Sequence, residues 1–459
     1  MPHRIWTTLR NGDAVRCYVW IVIQQAVVAA STYLLVLAAR HTTQGAMAQA
    51  AACALAFATL LVLVYVPNTV SIYYLQRWRL SSLEQFMSLF VIRNQSKTTL
   101  RHAQVRRQHE SALTNEAPVL FEQVTQLRYE LASTVLSALL NVAVIGLVVA
   151  PSLLLWYGLA GILLALSSRL SQRRIQSVAE GMQDQRKQLS AIILRAWENV
   201  FAGNPANLSA WQAHFDAGLR GLRGAALRYE LTRSVISSVT VSSALVLITI
   251  GNTWFFLQNR HDLVNLTALL VTLPRQLQTV QHVFAFFNVL ISYKGVSQQF
   301  EGLGRLLDLG SRADASLRHV DLSRISVLID GMAAAVRTPQ DFVALLKAKR
   351  GVRVTLRAPN GAGKSTLLAY AAECLHPERV YVPSYTTELE FFGTSFHGLS
   401  DGRRAMAMLE ALGSQPEGDF ILIDEWDANL DADNVAIMNH KIDGWVAEGR
   451  TVVESRHRS

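Results

Sequence analysis

Six stretches of this 459-residue chain are apolar over lengths that water-facing folds rarely use. They are Cys17–Ala39, Ala46–Leu75, Leu131–Ala150, Ser152–Leu166 with its flanks, Ser234–Leu257 and the less uniform Leu263–Tyr293. A helix needs about 20 predominantly apolar residues to cross a bilayer. Within the hydrocarbon, backbone polar groups must be satisfied inside the segment, so such runs become helices. The pattern predicts six membrane spans. Composition agrees, with 51% hydrophobic and 17% charged residues, against about 25% charged in ordinary soluble domains. The basic segment before Cys17 leads into a run long enough to span and lacking a clear cleavage site. It reads as the first span and not as a removable signal. The three cysteines, Cys17, Cys53 and Cys374, have no metal-ligand spacing, and an odd count argues against a disulfide framework.

The net charge of +9 has a distribution that matters more than its size. Arg77, Arg79, Arg93, Lys97, Arg101, Arg106 and Arg107 follow the second span. Arg169, Arg173, Arg174, Arg186, Lys187, Arg195, Arg220, Arg223 and Arg228 follow the fourth. The opposite loops show only Arg40 and Arg260. The positive-inside rule then puts the long loops and both termini in the cytoplasm. No basic run interleaved with aromatics tracks a phosphate backbone, so nucleic acid is not an expected partner. Both long loops are poor in proline and glycine and read as helical continuations of the spans.

After about Glu301 the texture changes. A polar linker gives way to short β-type runs, "ISVLID", "VRVTLR", "RVYVP", "FILID" and "TVVES", several of them separated by helical stretches. That alternation predicts an α/β domain with a mainly parallel sheet. The boundaries read as 1–299 for the membrane domain, 300–325 for the linker and 326–459 for the α/β domain.

"RAPNGAGKSTLL" sits between a strand and a helix, the context a phosphate-binding loop requires. Asn360, Gly361, Ala362 and Gly363 form the turn, whose backbone N–H groups suit phosphate oxygens. Lys364 is placed to reach the β- and γ-phosphates of ATP, Ser365 offers a hydroxyl to Mg²⁺, and Thr366 opens the helix. Ala358 stands where the motif has glycine, and a positive φ there would strain it. "FILIDEWDANLD" ends a strand in Asp424, suited to Mg²⁺, and Glu425, suited to polarise an attacking water. A strand ending in acids is common by itself; downstream of a phosphate loop it gains meaning. "GLSDGRRAMAMLEAL" places Ser400 and Gly402 at a helix start, which alone is ordinary capping chemistry.

Taken in order, these pieces resemble the ATP-binding cassette (ABC) transporters. Their signature LSGGQ is matched by Leu399, Ser400 and Gly402, with Asp401 and Arg403 as departures. "ANLD", ending at Asp431, resembles the D-loop. "GRTVVESRHR" resembles the final strand, with His457 as the switch histidine that contacts the γ-phosphate. The six spans followed by a nucleotide domain resemble exporter half-transporters, and "ESALTNEAPVLFEQV" and "WENVFAGNPANLSAW" resemble the two intracellular loops. The Glu-Trp pair in "DEWDANLD" resembles the subgroup exporting cyclic peptides and siderophores. The resemblance implies an all-α six-helix transmembrane domain followed by an α/β P-loop nucleotide-binding domain. It also implies ATP and Mg²⁺ as cofactors, export through the plasma membrane, and a second copy of the chain (or a related chain) as partner. The cargo would be peptide-like, siderophore-like or an amphipathic small molecule.

The cassette is abbreviated. Residues 366–399 contain no glutamine for the Q-loop, although Ser384 falls where it would lie. No aromatic between Arg318 and Gln340 stands ready to stack on adenine. This leaves a second reading, a permease driven by an ion gradient with a nucleotide domain that only regulates. In Leu263–Tyr293, Arg275, Gln278 and His282 share one helical face. They read equally as lining a cargo cavity or as lying near an interface. Gln24 and Gln25 read as interhelical contacts.

Overall fold

The computed structural model describes residues 2–101, 109–309, 317, 320–384, 401–413, 418–428 and 430–456. Its contacts divide into two units. One comprises Met1–Gln85 with Ala117–Gly302, the other Phe86–Glu116 with Leu303–Ser459.

The first unit is helical. α1 (Gly12–Thr43) starts at Asn11, whose side chain accepts the Ala14 N–H. α2 (Met47–Leu63) and α3 (Tyr65–Asn94) meet at Val64. Pro67 has no N–H for the Leu63 carbonyl four residues back, which accounts for a break there. α4 (Ala117–Val148) and α5 (Ser152–Ile193) are separated by a turn at Pro151. α6 (Pro205–Gln258) is capped by Asn204, with Pro205 at the first helical position. α7 is Leu263–Leu303.

Among the described residues, five helical segments are long and apolar enough to cross a membrane: Gly12–Thr43, Met47–Asn94, His109–Val148, Ser152–Phe201 and Pro205–Gln258. The sixth expected span forms a helix, α7, but is not among these segments, because Pro274, Arg275, His282 and its glutamines dilute its apolar content. The described residues of the long loops are largely helical, as the sequence suggests.

Polar side chains stitch the unit's interior. Gln24 donates to Asn68 (3.0 Å), Gln25 to Ser133 (3.2 Å) and Asn252 to Gln276 (2.6 Å). These are the interhelical bonds that apolar surroundings favour. α5 and α6 pack antiparallel. The Trp211 indole reaches the Ile192 carbonyl near one end, and Trp156 lies against Gly251 near the other. A Cβ on Gly251 would fall 2.4 Å from Trp156 Cγ, so only glycine allows this approach.

The second unit is a sheet with helices on both faces. β1 (Ser326–Ile329), β2 (Met332–Ala334), β3 (Arg353–Arg357), β4 (Arg379–Val382), β5 (Phe420–Ile423) and β6 (Thr451–Ser455) lie in the order β2-β1-β3-β6-β5-β4. β3, β6, β5 and β4 are parallel, while β1 is antiparallel to its neighbours. All five strands read from the sequence form; β2 was not foreseen. It follows a tight turn in which Asp330 and Gly331 have φ +48° and +84°.

α8 (Pro339–Ala348) opens with a Thr338–Asp341 capping box, and α9 (Lys364–Cys374) follows the phosphate loop. Both cover one face, where Phe342, Leu346, Val354, Leu356, Leu367, Leu368, Phe420 and Leu422 are buried together. α10 (Asp401–Gly413) and α11 (Ala432–Ala447) supply Met408, Leu412, Met438, Ile442 and Trp445 to the other face, against Ile421, Ile423 and Val452. The alternation along β5 sends successive side chains to opposite cores, as pleating requires. Thr98 Oγ1 donates to the Ala369 carbonyl (2.6 Å) and Thr99 Oγ1 to Glu373 (2.6 Å), tying the segment after α3 to α9.

Overpacking a tight helix contact costs about 1–3 kcal/mol. Gly251→Ala is therefore expected to lower the thermal midpoint of the detergent-solubilised protein. Gly158→Ala and Gly161→Ala, whose added Cβ meets nothing within 4 Å, leave it unchanged or raise it.

Candidate nucleotide site

In open α/β sheets, ligands bind beyond the carboxyl ends of the strands. Here the carboxyl ends of the adjacent strands β3, β6 and β5 lead into the phosphate loop, Ser455 and Asp424 respectively.

After β3 the chain turns through Gly361 (φ +81°) and Gly363 (φ +95°). Both values lie in the left-handed region that glycine tolerates best. Gly363 caps α9, whose first N–H groups lack intrahelical acceptors and suit an anion. Asn360 and Gly361 are exposed, Ala362 is buried, and Thr366 is half-buried in the first turn of α9. Asp321 N–H bonds to the Ala362 carbonyl (3.0 Å) and braces the loop. The condition for strain at Ala358 is not met. Its φ is not positive, and its side chain packs on the apolar core beside β3.

Lys364 is buried, and its Nζ donates to the Ala358 carbonyl at 2.7 Å. No carboxylate among the described residues pairs with it. A buried ammonium on a neutral acceptor is poorly compensated, and an anionic ligand would supply the missing charge. Ser365 Oγ donates to Asp424 Oδ1 at 3.1 Å, joining two distant parts of the sequence. Asp424 is buried at the end of β5. A hydroxyl and one carboxylate are hard oxygen donors that suit Mg²⁺ completed by phosphates and water. They do not suit a metal wanting a full protein cage, and the described residues hold no cluster of three or more His, Cys, Asp or Glu for one.

Glu425 is half-buried and has φ +47°, rare for a side chain of this kind. Its N–H is held by the Ser455 carbonyl (3.1 Å) and Ser455 Oγ (2.9 Å). Asp431 caps α11, accepting the Asn434 N–H at 2.8 Å. Gly402 lies in the first turn of α10. Leu399, Ser400 and His457 fall outside the described residues, as does the Q-loop region beyond Ser384. In the other unit, Arg275 is half-buried. It donates to Gln278 Oε1 (2.8 Å) and to Ser31 Oγ (3.3 Å), and His282 is half-buried on the same helix.

Beside the site lies a group that motif reading missed. Glu454, buried in β6, accepts from Arg353 (3.0 Å), Thr355 (2.8 Å), Arg456 (3.1 Å) and the Trp426 indole (2.8 Å). Arg353 also reaches Asn439 and Asp443 on α11, and Arg456 lies over the Trp426 ring. Burial alone would raise the Glu454 pKa. The bonds and charges of Arg353, with Arg456 and Thr355, outweigh it and hold the carboxyl below its ordinary range. The available signal was a lone acid in an apolar strand, "TVVES", together with Arg353, an arginine flanked by valines in "VRVTLR".

No family model and no curated protein sequence matches the chain. Among solved structures, it is similar to a bacterial Atm1-family ABC exporter described as having ATP bound. The TM-score is 0.62 at 16% identity, over 97% of this chain and 91% of that one. The fold is that of an ABC exporter: membrane-length apolar helices joined to a small α/β domain. Within that class, nothing in this likeness singles out the cyclic-peptide and siderophore subgroup.

Because the Glu454 pKa is lowered in the fold, the unfolded chain takes up the proton first as pH falls. Its contribution is complete above the ordinary carboxylate range, about 4.3, and is lost as pH drops through the lowered value. Thermal scans of wild type are expected to show stability falling with acid below about pH 5. Glu454→Gln should be less stable at neutral pH, because it leaves Arg353 and Arg456 without their buried partner. Its acid-dependent loss should be smaller than that of wild type.

Proposed function

We propose that the chain is a half-transporter of the ABC exporter type, which binds and hydrolyses ATP to move cargo across the plasma membrane. The observation that carries this reading is the 3.1 Å contact between Ser365 of the phosphate loop and Asp424, beside the buried Lys364. An exporter-like fold extending over nearly the whole chain supports it.

In this reading Gly361, Gly363 and the first N–H groups of α9 bind the β- and γ-phosphates, with Asn360 and Ala362 shaping the turn. Lys364 exchanges the Ala358 carbonyl for phosphate oxygens. Ser365 and Asp424 hold Mg²⁺, which when bound neutralises charge on the β- and γ-oxygens. Glu425 orients the attacking water. Ser400, Gly402 and Asp431 serve the nucleotide of a second copy, and His457 contacts the γ-phosphate. The chain works as a dimer, since one copy carries one set of these groups. The membrane domain spans residues 1–299 with six helices counting α7, the linker is 300–325 and the nucleotide domain 326–459. Both termini are cytoplasmic.

The cargo is a peptide-like, siderophore-like or amphipathic small molecule. Arg275, Gln278 and His282 are its candidate contacts, because ionisable groups in a span usually face a bundle interior or a watery cavity.

Reconstituted protein is expected to hydrolyse ATP. Lys364→Ala and Glu425→Gln should each reduce turnover by at least about 100-fold, the scale of losing a charge-stabilising or water-activating group. Full turnover in both would overturn the assigned roles. Transport that persists without ATP and collapses with the proton gradient would instead establish the ion-driven permease. Peptides, siderophores and lipophilic drugs screened for stimulation of ATPase identify the cargo, and Arg275→Gln should raise the concentration needed for half-maximal stimulation.

A further inference from the structure

We propose that Ser455 is a positioning residue for this hydrolysis, setting both the cation-binding carboxylate of Asp424 and the backbone of Glu425. The proposal rests on the nucleotide reading above and adds a role for Ser455, a residue to which the motif resemblance gives none.

Ser455 ends β6, between the strands that lead to the phosphate loop and to Asp424. It is buried. A hydroxyl has one proton, and Ser455 gives it to Asp424 Oδ1 at 2.5 Å, a length typical of a hydroxyl on a carboxylate. The same oxygen accepts the Glu425 N–H at 2.9 Å. The order is therefore fixed: the Glu425 amide donates to Ser455, and Ser455 donates to Asp424.

Two consequences follow. Rotation of a carboxylate about its terminal torsion is soft. Ser365 and Ser455 both donate to Oδ1, which pins the carboxylate plane. No hydrogen bond from the described residues is given to Oδ2, so that oxygen is left for a cation. In addition, the N–H of Glu425, whose backbone is left-handed, donates to both acceptors of Ser455, which supports that conformation. The neighbouring Trp426 indole is anchored on Glu454, the residue before Ser455. The turn that carries the water-polarising carboxylate is thus docked on two consecutive residues of β6.

Removing the hydroxyl leaves the Ser455 carbonyl in place. Ser455→Ala should keep the fold while freeing the Asp424 carboxylate to rotate. Partners of a metal ligand typically contribute about 10–100-fold in metal affinity or activity.

The test uses full-length protein in lipid nanodiscs, comparing wild type, Ser455→Ala and Ser455→Thr. Three quantities are read: the Mg²⁺ concentration for half-maximal ATP hydrolysis, Mn²⁺ binding by electron paramagnetic resonance with a non-hydrolysable ATP analogue, and ATP binding in excess chelator. Ser455→Ala should raise the half-maximal Mg²⁺ concentration and weaken Mn²⁺ binding about 10-fold or more. Its metal-free ATP binding should stay within about twofold of wild type, and Ser455→Thr, which retains the hydroxyl, should recover most of the loss. An unchanged metal dependence in Ser455→Ala overturns the inference, as does an equal loss of metal-free ATP binding or failure of Ser455→Thr to recover. If wild type hydrolyses ATP, those results leave the nucleotide reading standing. A wild type that neither binds nor hydrolyses ATP overturns both.

Discussion

The α/β unit depends on the parallel pairing of β6 with β3 on one side and β5 on the other. Parallel strands need a crossover between them, and these are made through helices that cover the two faces of the sheet. Parallel alignment also sends all three carboxyl ends to one edge. The phosphate loop, Ser455 and the Asp424–Glu425 pair converge there for that reason, although they lie far apart in sequence. The burial of Val354, Leu356, Leu422, Ile423, Val452 and Val453 fixes the register. A slip of one residue would turn each strand's side chains to the wrong face.

Against that apolar interior, Glu454 is an expensive residue. A buried carboxylate is tolerable only when charge and hydrogen bonds compensate it. Arg353, Arg456, Thr355 and Trp426 do so, and Arg353 carries the network to α11 through Asn439 and Asp443. The network has a geometric yield as well. It fixes Trp426, and with it the course of the chain directly after Glu425, whose backbone is otherwise unfavourable.

Much of this was legible in the sequence. The strands β1, β3, β4, β5 and β6 were visible as β-type runs: β5, buried along its whole length, writes itself as continuous apolar residues, while β3 alternates between its buried and less buried faces. The turn between β3 and α9 was visible because its backbone takes positive φ at Gly361 and Gly363. Ser455 was not visible. A serine ending a strand has no distinctive pattern, and its importance comes from what β5 brings beside it. Glu425's left-handed backbone was equally hidden, since no glycine marks it. The short β2 was missed because its few residues carry no alternation. At Ala358 the sequence left the backbone open: strain there was conditional on a positive φ, and the chain does not take one. α7 formed a helix as expected, but its prolonged polar face sets it apart from the five more apolar segments.

β6 lies near the middle of its sheet but is the last of the strands in chain order. Synthesis proceeds from the amino terminus, and β3 and β5 cannot bond to each other while the place between them is empty. The phosphate loop, Lys364, Asp424 and Glu425 are all translated before the strand that brings them together. A nascent chain thus holds the parts of the proposed site without the site itself. Assembly of those parts is deferred until Thr451–Ser455 inserts, so the long apolar helices are made well before the site can form.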